Sequence, residues 1–229
     1  MPPKTQRATT QSSLDISGAV RKRMIQVILL FLIQAASLFL ASGHPGWFWA
    51  WLYIGVGLGL LVINTLILPP ELIAERGQPQ GEAKRWEKVL TTISILPMLG
   101  MPIVAGLDEC IGWTQELALA IHLSALILWT LGQGLFSWAM VSYKFFSTVV
   151  RLQMERGHTV ATGGPYRYVR HPGYTGYILS NLATPLVLGS LWALILAGIS
   201  AILLVVRTAR EDRTLRDELP GYDAYSQET

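Results

Sequence analysis

Cys110 is the only cysteine in this chain, which excludes an intramolecular disulfide framework and a cysteine-rich zinc or iron-sulfur site. Charge is scarce as well. Only 14% of the 229 residues are Asp, Glu, Lys or Arg, against about a quarter in an average soluble domain, while 51% are hydrophobic. That balance excludes an intrinsically disordered chain and argues against a soluble globule. The four histidines stand apart at 44, 122, 158 and 171, none at helical spacing from an acidic residue within an apolar run, so no metal is expected. A net charge of +3 gives no support to nucleic-acid binding. Heptads, low-complexity blocks and internal repeats are lacking too.

What the chain does have is long uncharged runs. Met24 to Ser42, Trp47 to Leu68, Val89 to Leu107 and Leu117 to Val141 each come close to the roughly 20 residues that a membrane-spanning helix needs. Pro97 and Pro102 interrupt the third, a feature that neighbouring helices can accommodate by pairing the freed carbonyls. The last run, Ile178 to Val206, is 29 residues long and contains Pro185, Gly189 and Ser190, too long for one ordinary span and short for two.

The basic residues decide between these. They fall in four groups: Lys4 to Arg23, Arg76 to Lys88, Lys144 to Arg170 and Arg207 to Arg216. The turn Gly43 to Gly46 and the acidic link Asp108 to Glu116 carry none. By the positive-inside rule the four basic groups, and with them both termini, are cytoplasmic, which requires an even number of crossings. Ile178 to Val206 therefore reads as two short helices turning near Gly189, or a re-entrant hairpin. The expected fold is all-α: a polytopic membrane helix bundle of about six membrane segments, the last two a short helical hairpin, with a cytoplasmic loop and a C-terminal helix. Residues 1–23 read as a flexible cytoplasmic tail and not a cleavable signal, and 24–229 as the membrane-embedded domain.

Two features are set aside as structural. Gly55, Gly57 and Gly59 resemble a phosphate-binding run, but they lie inside a span with no preceding strand; Gly55 and Gly59 read instead as a small-xxx-small helix contact. His122 has no acidic partner in the bilayer and reads as a neutral, hydrogen-bonded histidine near the outer boundary, the alternative being an intramembrane relay.

The segment 142–177 is different in kind, mixing polar, aromatic and basic residues over a length that a mere connector does not need. A short charged helix is expected over Arg151 to Gly157, then a break at Gly163, Gly164 and Pro165. Pro172 biases His171 toward an extended backbone, leaving its carbonyl and amide free for a ligand. Arg170 is a fixed cation whose fork suits a carboxylate, His171 is a donor or proton carrier, and the tyrosines offer flat faces for a purine or a sulfonium. An interfacial Arg and Tyr belt gripping lipid headgroups would have the same composition, and composition leaves both readings open. Beyond the last span, Glu211 shares a helix face with Arg207 and is placed to meet a cofactor's ammonium, while Asp212 pairs with Arg216 as a solvated salt bridge.

The stretch G-P-Y-R-Y-V-R-H-P-G-Y-T-G at 164–176, R-x-x-x-E-D-x-x-L at 207–215 and L-P-G-Y-D-A-Y at 219–225 resemble the isoprenylcysteine carboxyl methyltransferase family of integral membrane enzymes, and the broader group that includes phospholipid N-methyltransferases. R-L-Q-M-E-R-G-H at 151–158 and P-E-L-I-A-E-R-G at 70–77 resemble bacterial members, which implies a bacterial inner membrane. The resemblance implies a methyltransferase using S-adenosylmethionine, bound between the R-H-P loop and the acidic helix within 142–225. The implied partners are membrane lipids and a lipophilic methyl acceptor entering from the bilayer.

Carried onto this chain, Tyr166, Arg170, His171, Pro172, Tyr174, Gly176, Glu211 and Asp212 would line the cofactor site, with Arg170 and His171 on its carboxylate and Glu211 on its ammonium. Arg170 or Arg207 would orient an anionic acceptor as the catalytic pair. Two departures stand out: the family's acidic pair is commonly Glu-Glu and here is Glu211-Asp212, and relatives often continue past the position of Thr229 with a basic, aromatic tail. Competing readings are an NADPH-dependent reductase, because sterol reductases resemble this family in their C-terminal half, and a scaffold whose R-H-P loop binds anionic lipid.

Overall fold

The structure is a computed structural model that describes residues 4–77, 84–150, 152–154 and 157–229, with side chains from residue 16 onward. Its described residues form helices and no strands: α1 (Lys4–Ser42), α2 (Phe48–Ile67), α3 (Pro70–Glu75), α4 (Arg85–Ile111), α5 (Leu119–Val141), α6 (Pro172–Leu188), α7 (Ala193–Glu218) and α8 (Tyr222–Glu228). Five of these, α1 from Ile16, α2, α4, α5 and α7, are long and apolar enough to cross a membrane. The protein is thus an integral membrane helix bundle. From Lys4 onward, the residues expected to form a tail are part of α1. The short helix expected over 151–157 involves Arg151, Glu155 and Arg156, which lie outside the described residues.

The final apolar stretch does turn at Gly189, whose φ of +81° is the left-handed geometry that favours glycine at a helix C-terminus. Its two arms are unequal, however. α6 starts at Pro172 and has 17 residues, about 25 Å at 1.5 Å per residue, short of a hydrocarbon core of roughly 30 Å. α7 is not short: it runs 26 residues, because nothing breaks the helix until Leu219-Pro220 and the Asp212–Arg216 pair at 3.1 Å supports its polar end.

Small residues let the helices approach. A Cβ on Gly132 of α5 would lie 2.7 Å from the Gly176 carbonyl oxygen of α6, and one on Gly176 would lie 2.5 Å from that of Gly132. On α4, a Cβ on Gly106 would lie 2.6 Å from the Leu38 carbonyl oxygen of α1. Gly55 and Gly59, expected to make such a contact, have nothing within 4 Å; it is Gly57 that faces Phe31 and Trp129. The reason is register: the close contacts occur where backbones cross, and periodicity alone does not place a crossing. Across α6 and α7, Asn181 donates to the Ala197 carbonyl at 2.9 Å.

The two ends of the bundle differ. At one, His44 meets Glu109 at 3.2 Å, and buried Asp108 accepts from the Thr114 backbone N–H (2.7 Å), the Thr114 hydroxyl (2.6 Å) and Ser190 (2.5 Å). His122 is buried nearby, stacked on Trp49 with ring centroids 4.1 Å apart and its Nδ1 2.9 Å from the Val187 carbonyl oxygen. That is the hydrogen-bonded structural histidine expected of it. At the other end the four basic groups meet: Arg23 packs under Gly77, Lys84 pairs with Glu218 at 2.5 Å, Arg207 with Glu87 at 2.7 Å and Arg170 with Asp212 at 3.3 Å.

Candidate functional site

Gly163, Gly164 and Pro165 break the chain after α5 as their types demand. Gly164 takes φ +58° above Ser142 and Trp138, and a 3-10 turn follows over Gly164–Arg167. That turn buries Tyr166, whose hydroxyl reaches the Ala139 carbonyl at 3.4 Å and whose own carbonyl accepts from Tyr225 of α8 at 2.7 Å. Burial pushes the Tyr166 and Tyr143 hydroxyls well above their ordinary range.

Pro172 then opens α6 as its first residue, the place where a missing N–H costs nothing. His171 precedes it, and its carbonyl is not free for a ligand: it accepts from the Thr175 N–H at 3.1 Å and the Thr175 hydroxyl at 3.2 Å. With φ −127° and ψ 62° the His171 backbone is not the extended one expected, and as N-cap it gives its carbonyl to the first turn of the helix, which the proline rule by itself does not foresee.

Asp212 is the hub that fixes this loop. It accepts from His171 Nε2 at 3.1 Å, from Arg170 Nη1 at 3.3 Å, from the Tyr222 hydroxyl at 2.8 Å and from Arg216 Nε at 3.1 Å, with 18% of its side chain exposed. The Asp212–Arg216 pair of the sequence reading is present, but it is no simple solvated bridge. Burial, followed by the bond to Asp212, drives the Tyr222 hydroxyl well up from its usual value, because a phenolate there would face a carboxylate.

A cavity of 390 Å³ opens beside this hub. Tyr166, Arg170, His171, Tyr174, Arg207 and Glu211 stand on its polar wall, and the Tyr174 hydroxyl donates to Glu211 at 2.5 Å. Thr91, Ser94 and Met98 of α4, Phe136 of α5, Tyr177 of α6 and Leu204 of α7 line the part that continues between the spans. Six of the expected site residues are thereby brought together. Pro172, Gly176 and Asp212 are not on this wall: Pro172 starts the helix, Gly176 packs against α5, and Asp212 stands behind Arg170 and His171.

Arg207 and Glu211 share a face of α7 as their spacing requires, yet each has another partner. Arg207 Nη2 donates to Glu87 at 2.7 Å and to the Thr148 carbonyl at 2.8 Å, and its guanidinium lies 5.5 Å from the Tyr174 ring centroid. Glu87, wholly buried at the head of α4, also accepts from the Val150 N–H at 2.8 and 2.9 Å. Glu87, Arg76, Tyr143 and Tyr222 were not singled out in the sequence. A carboxylate just before an apolar run was the available clue for Glu87, and the L-P-G-Y-D-A-Y stretch for Tyr222. Among the described residues no group of three or more His, Cys, Asp or Glu is arranged to hold a metal ion.

Residues 125–217 match the model of the isoprenylcysteine carboxyl methyltransferase (ICMT) family. Over 68 residues the chain is 43% identical to the protein-S-isoprenylcysteine O-methyltransferase of Schizosaccharomyces pombe, a stretch that covers 29% of this chain and 29% of that one. The match to this relative thus spans less than a third of its length. The resemblance read from the R-H-P stretch is borne out over this segment, which holds every expected site residue from Tyr166 to Asp212.

Proposed function

We propose that the protein transfers a methyl group from S-adenosylmethionine to a lipophilic acceptor that enters the cavity from the bilayer. The observation that carries this reading is a cavity on whose wall Arg170, His171 and Glu211 stand together with Met98 and Leu204. A polar, charged end suits a zwitterionic cofactor, and an apolar end between spans suits a lipid tail. The match of residues 125–217 to the family model supports the same activity.

The donor set fits the cofactor. Glu211, oriented by the Tyr174 hydroxyl, would hold its ammonium; Arg170, through the guanidinium N–H groups not committed to Asp212, would face its carboxylate, with His171 on the same side; the tyrosine faces would meet its purine or sulfonium. Bound there, S-adenosylmethionine supplies an activated methyl group. Such transfer needs little covalent help from the protein, so the residues act by aligning the two reactants and keeping water out. The Asp212 hub holds Arg170 and His171 in place, and the Glu87 pair does the same for Arg207. The basic end of the bundle faces the cytoplasm in this reading, by the positive-inside rule, in a bacterial inner membrane.

The test is calorimetry on the whole protein in detergent micelles. S-Adenosylhomocysteine is expected to bind and NADPH not, and Arg170→Ala and Glu211→Ala are each expected to weaken that binding by tenfold or more, on the order of the 1.4 kcal/mol that a decade requires. Binding of NADPH in its place would overturn the proposal.

A further inference from the structure

Arg76 is a cation with an unmet donor in the cavity wall. It caps α3, its backbone N–H bonding to the Leu72 carbonyl, and its guanidinium lies 5.8 Å from the centroid of Phe136 and 5.1 Å from that of Phe146. Its Nη1 is buried and has no hydrogen-bond partner, and among the described residues no carboxylate pairs with it. Arg207, on the same cavity wall, presents a second such atom: with Nη2 committed to Glu87 and Thr148, its buried Nε has no partner.

Two unmatched guanidinium donors in one cavity are a costly arrangement. Burial first, and then the nearby charges of Arg23 and Arg207, push Arg76 down to about 10, so the surroundings disfavour the very charge it carries. Aromatic faces offset part of that cost. They leave the N–H groups unsatisfied, and a buried charge ordinarily has both a counter-charge and hydrogen bonds. The carboxylates nearby are committed elsewhere: Glu87 to Arg207 and the Val150 amide, Glu211 to Tyr174, Asp212 to the R-H-P loop. What Arg76 lacks is an oxyanion partner, and Arg207, already paired with Glu87, has one further N–H to offer it. Thr91, Ser94 and Met98 leave room for an apolar tail on the α4 side of the same space.

We infer that Arg76 and Arg207 together seat an oxyanion carried on an apolar tail, the carboxylate or phosphate of the acceptor, and that Arg76 is a positioning residue for it. This rests on the acceptor reading above and adds to it a residue outside the 125–217 segment. Arg76 selects which end of an amphiphile enters first, and the rings of Phe136 and Phe146 lie beside its guanidinium.

The test measures equilibrium binding to the whole protein in neutral detergent with three probes sharing a farnesyl tail: a farnesylcysteine carboxylate, its carboxamide, and farnesyl monophosphate. The anionic probes are expected to bind at least tenfold more tightly than the carboxamide, and the tighter of the two identifies the oxyanion. Arg76→Gln is expected to remove that preference, leaving carboxamide and S-adenosylhomocysteine affinities within twofold of wild type; Arg76→Lys, which keeps charge without the fork, is expected to retain part of it. Equal binding of charged and neutral probes by the wild-type protein overturns the seat, and this needs no variant to fold. So does an Arg76→Gln protein that keeps the preference, or one that loses all three probes alike. If the wild-type protein instead prefers the anions but does not bind S-adenosylhomocysteine, the seat stands and the methyltransferase reading falls.

Discussion

His171 Nε2 lies 3.1 Å from Asp212 Oδ1, joining two residues 41 positions apart across the α6–α7 hairpin. The bond fixes the ring's orientation and places the proton on Nε2, since Asp212 can only accept while it is ionised. It also links the loop to the helix that carries Glu211, so the two halves of the proposed cofactor site are held in register by a residue off its wall.

Asp212→Ala should therefore loosen the site without touching what binds there. Arg170, His171, Tyr222 and Arg216 all lose their acceptor, which is expected to cost about 1–3 kcal/mol of stability and to weaken S-adenosylhomocysteine binding about tenfold. Thermal unfolding and calorimetry on the same preparation check both. Unchanged affinity would mean that the loop is positioned without this carboxylate.

Gly176→Ala separates packing from ligand binding at a residue that the family resemblance places in the cofactor site. The new methyl would stand 2.5 Å from the Gly132 carbonyl oxygen, so α5 and α6 must move apart, at an expected cost of about 1–3 kcal/mol. Gly132→Ala should show a similar loss, and the double variant less than the sum, because both report the same contact. Affinity for S-adenosylhomocysteine in the folded fraction should stay within about twofold, since the methyl points at α5 and not at the cavity. Lost binding at unchanged stability would return Gly176 to the ligand.

Alkaline pH should unfold the loop end first. Burial raises the Tyr143, Tyr166 and Tyr222 hydroxyls above the ordinary tyrosine value of about 10. A folded value above the unfolded one stabilises the fold fully below about pH 10, and that stabilisation is lost as pH rises toward the folded value. Stability in detergent should accordingly fall from about pH 10 upward, with delayed appearance of tyrosinate absorbance, and Tyr222→Phe should make the fall shallower. A stability that is flat through that range would contradict it.

Much of this was legible along the chain. Uncharged runs of spanning length follow from the cost of taking charge and bare backbone into lipid, and α1, α2, α4, α5 and α7 were found in them. The turn at Gly189 was visible because Pro185 followed by Gly189 and Ser190 in an over-long run leaves few other places for one. Arg170 and His171 announced themselves by residue type in a segment too long for a connector, and Glu211 by its helical spacing from Arg207, and the cavity does gather them.

What the linear order could not carry is who partners whom. Whether Arg207 faces Glu211 or Glu87, whether Asp212 meets solvent or His171, and whether Gly55 or Gly132 sits at a crossing all depend on which helix faces lie against each other. That is a long-range packing outcome, set by the sum of many weak contacts and not by spacing within one helix. Arg76 shows the limit most plainly: on paper it is one more basic residue after a short helix, and only its place beside the Phe136 and Phe146 rings, with its buried Nη1 left unmatched, sets it apart. The sequence by itself determined which runs are long and apolar enough to cross a bilayer and which residues have the chemistry; the tertiary structure decided which of them remain unsatisfied, because hydrogen-bond satisfaction is a property of neighbours in space.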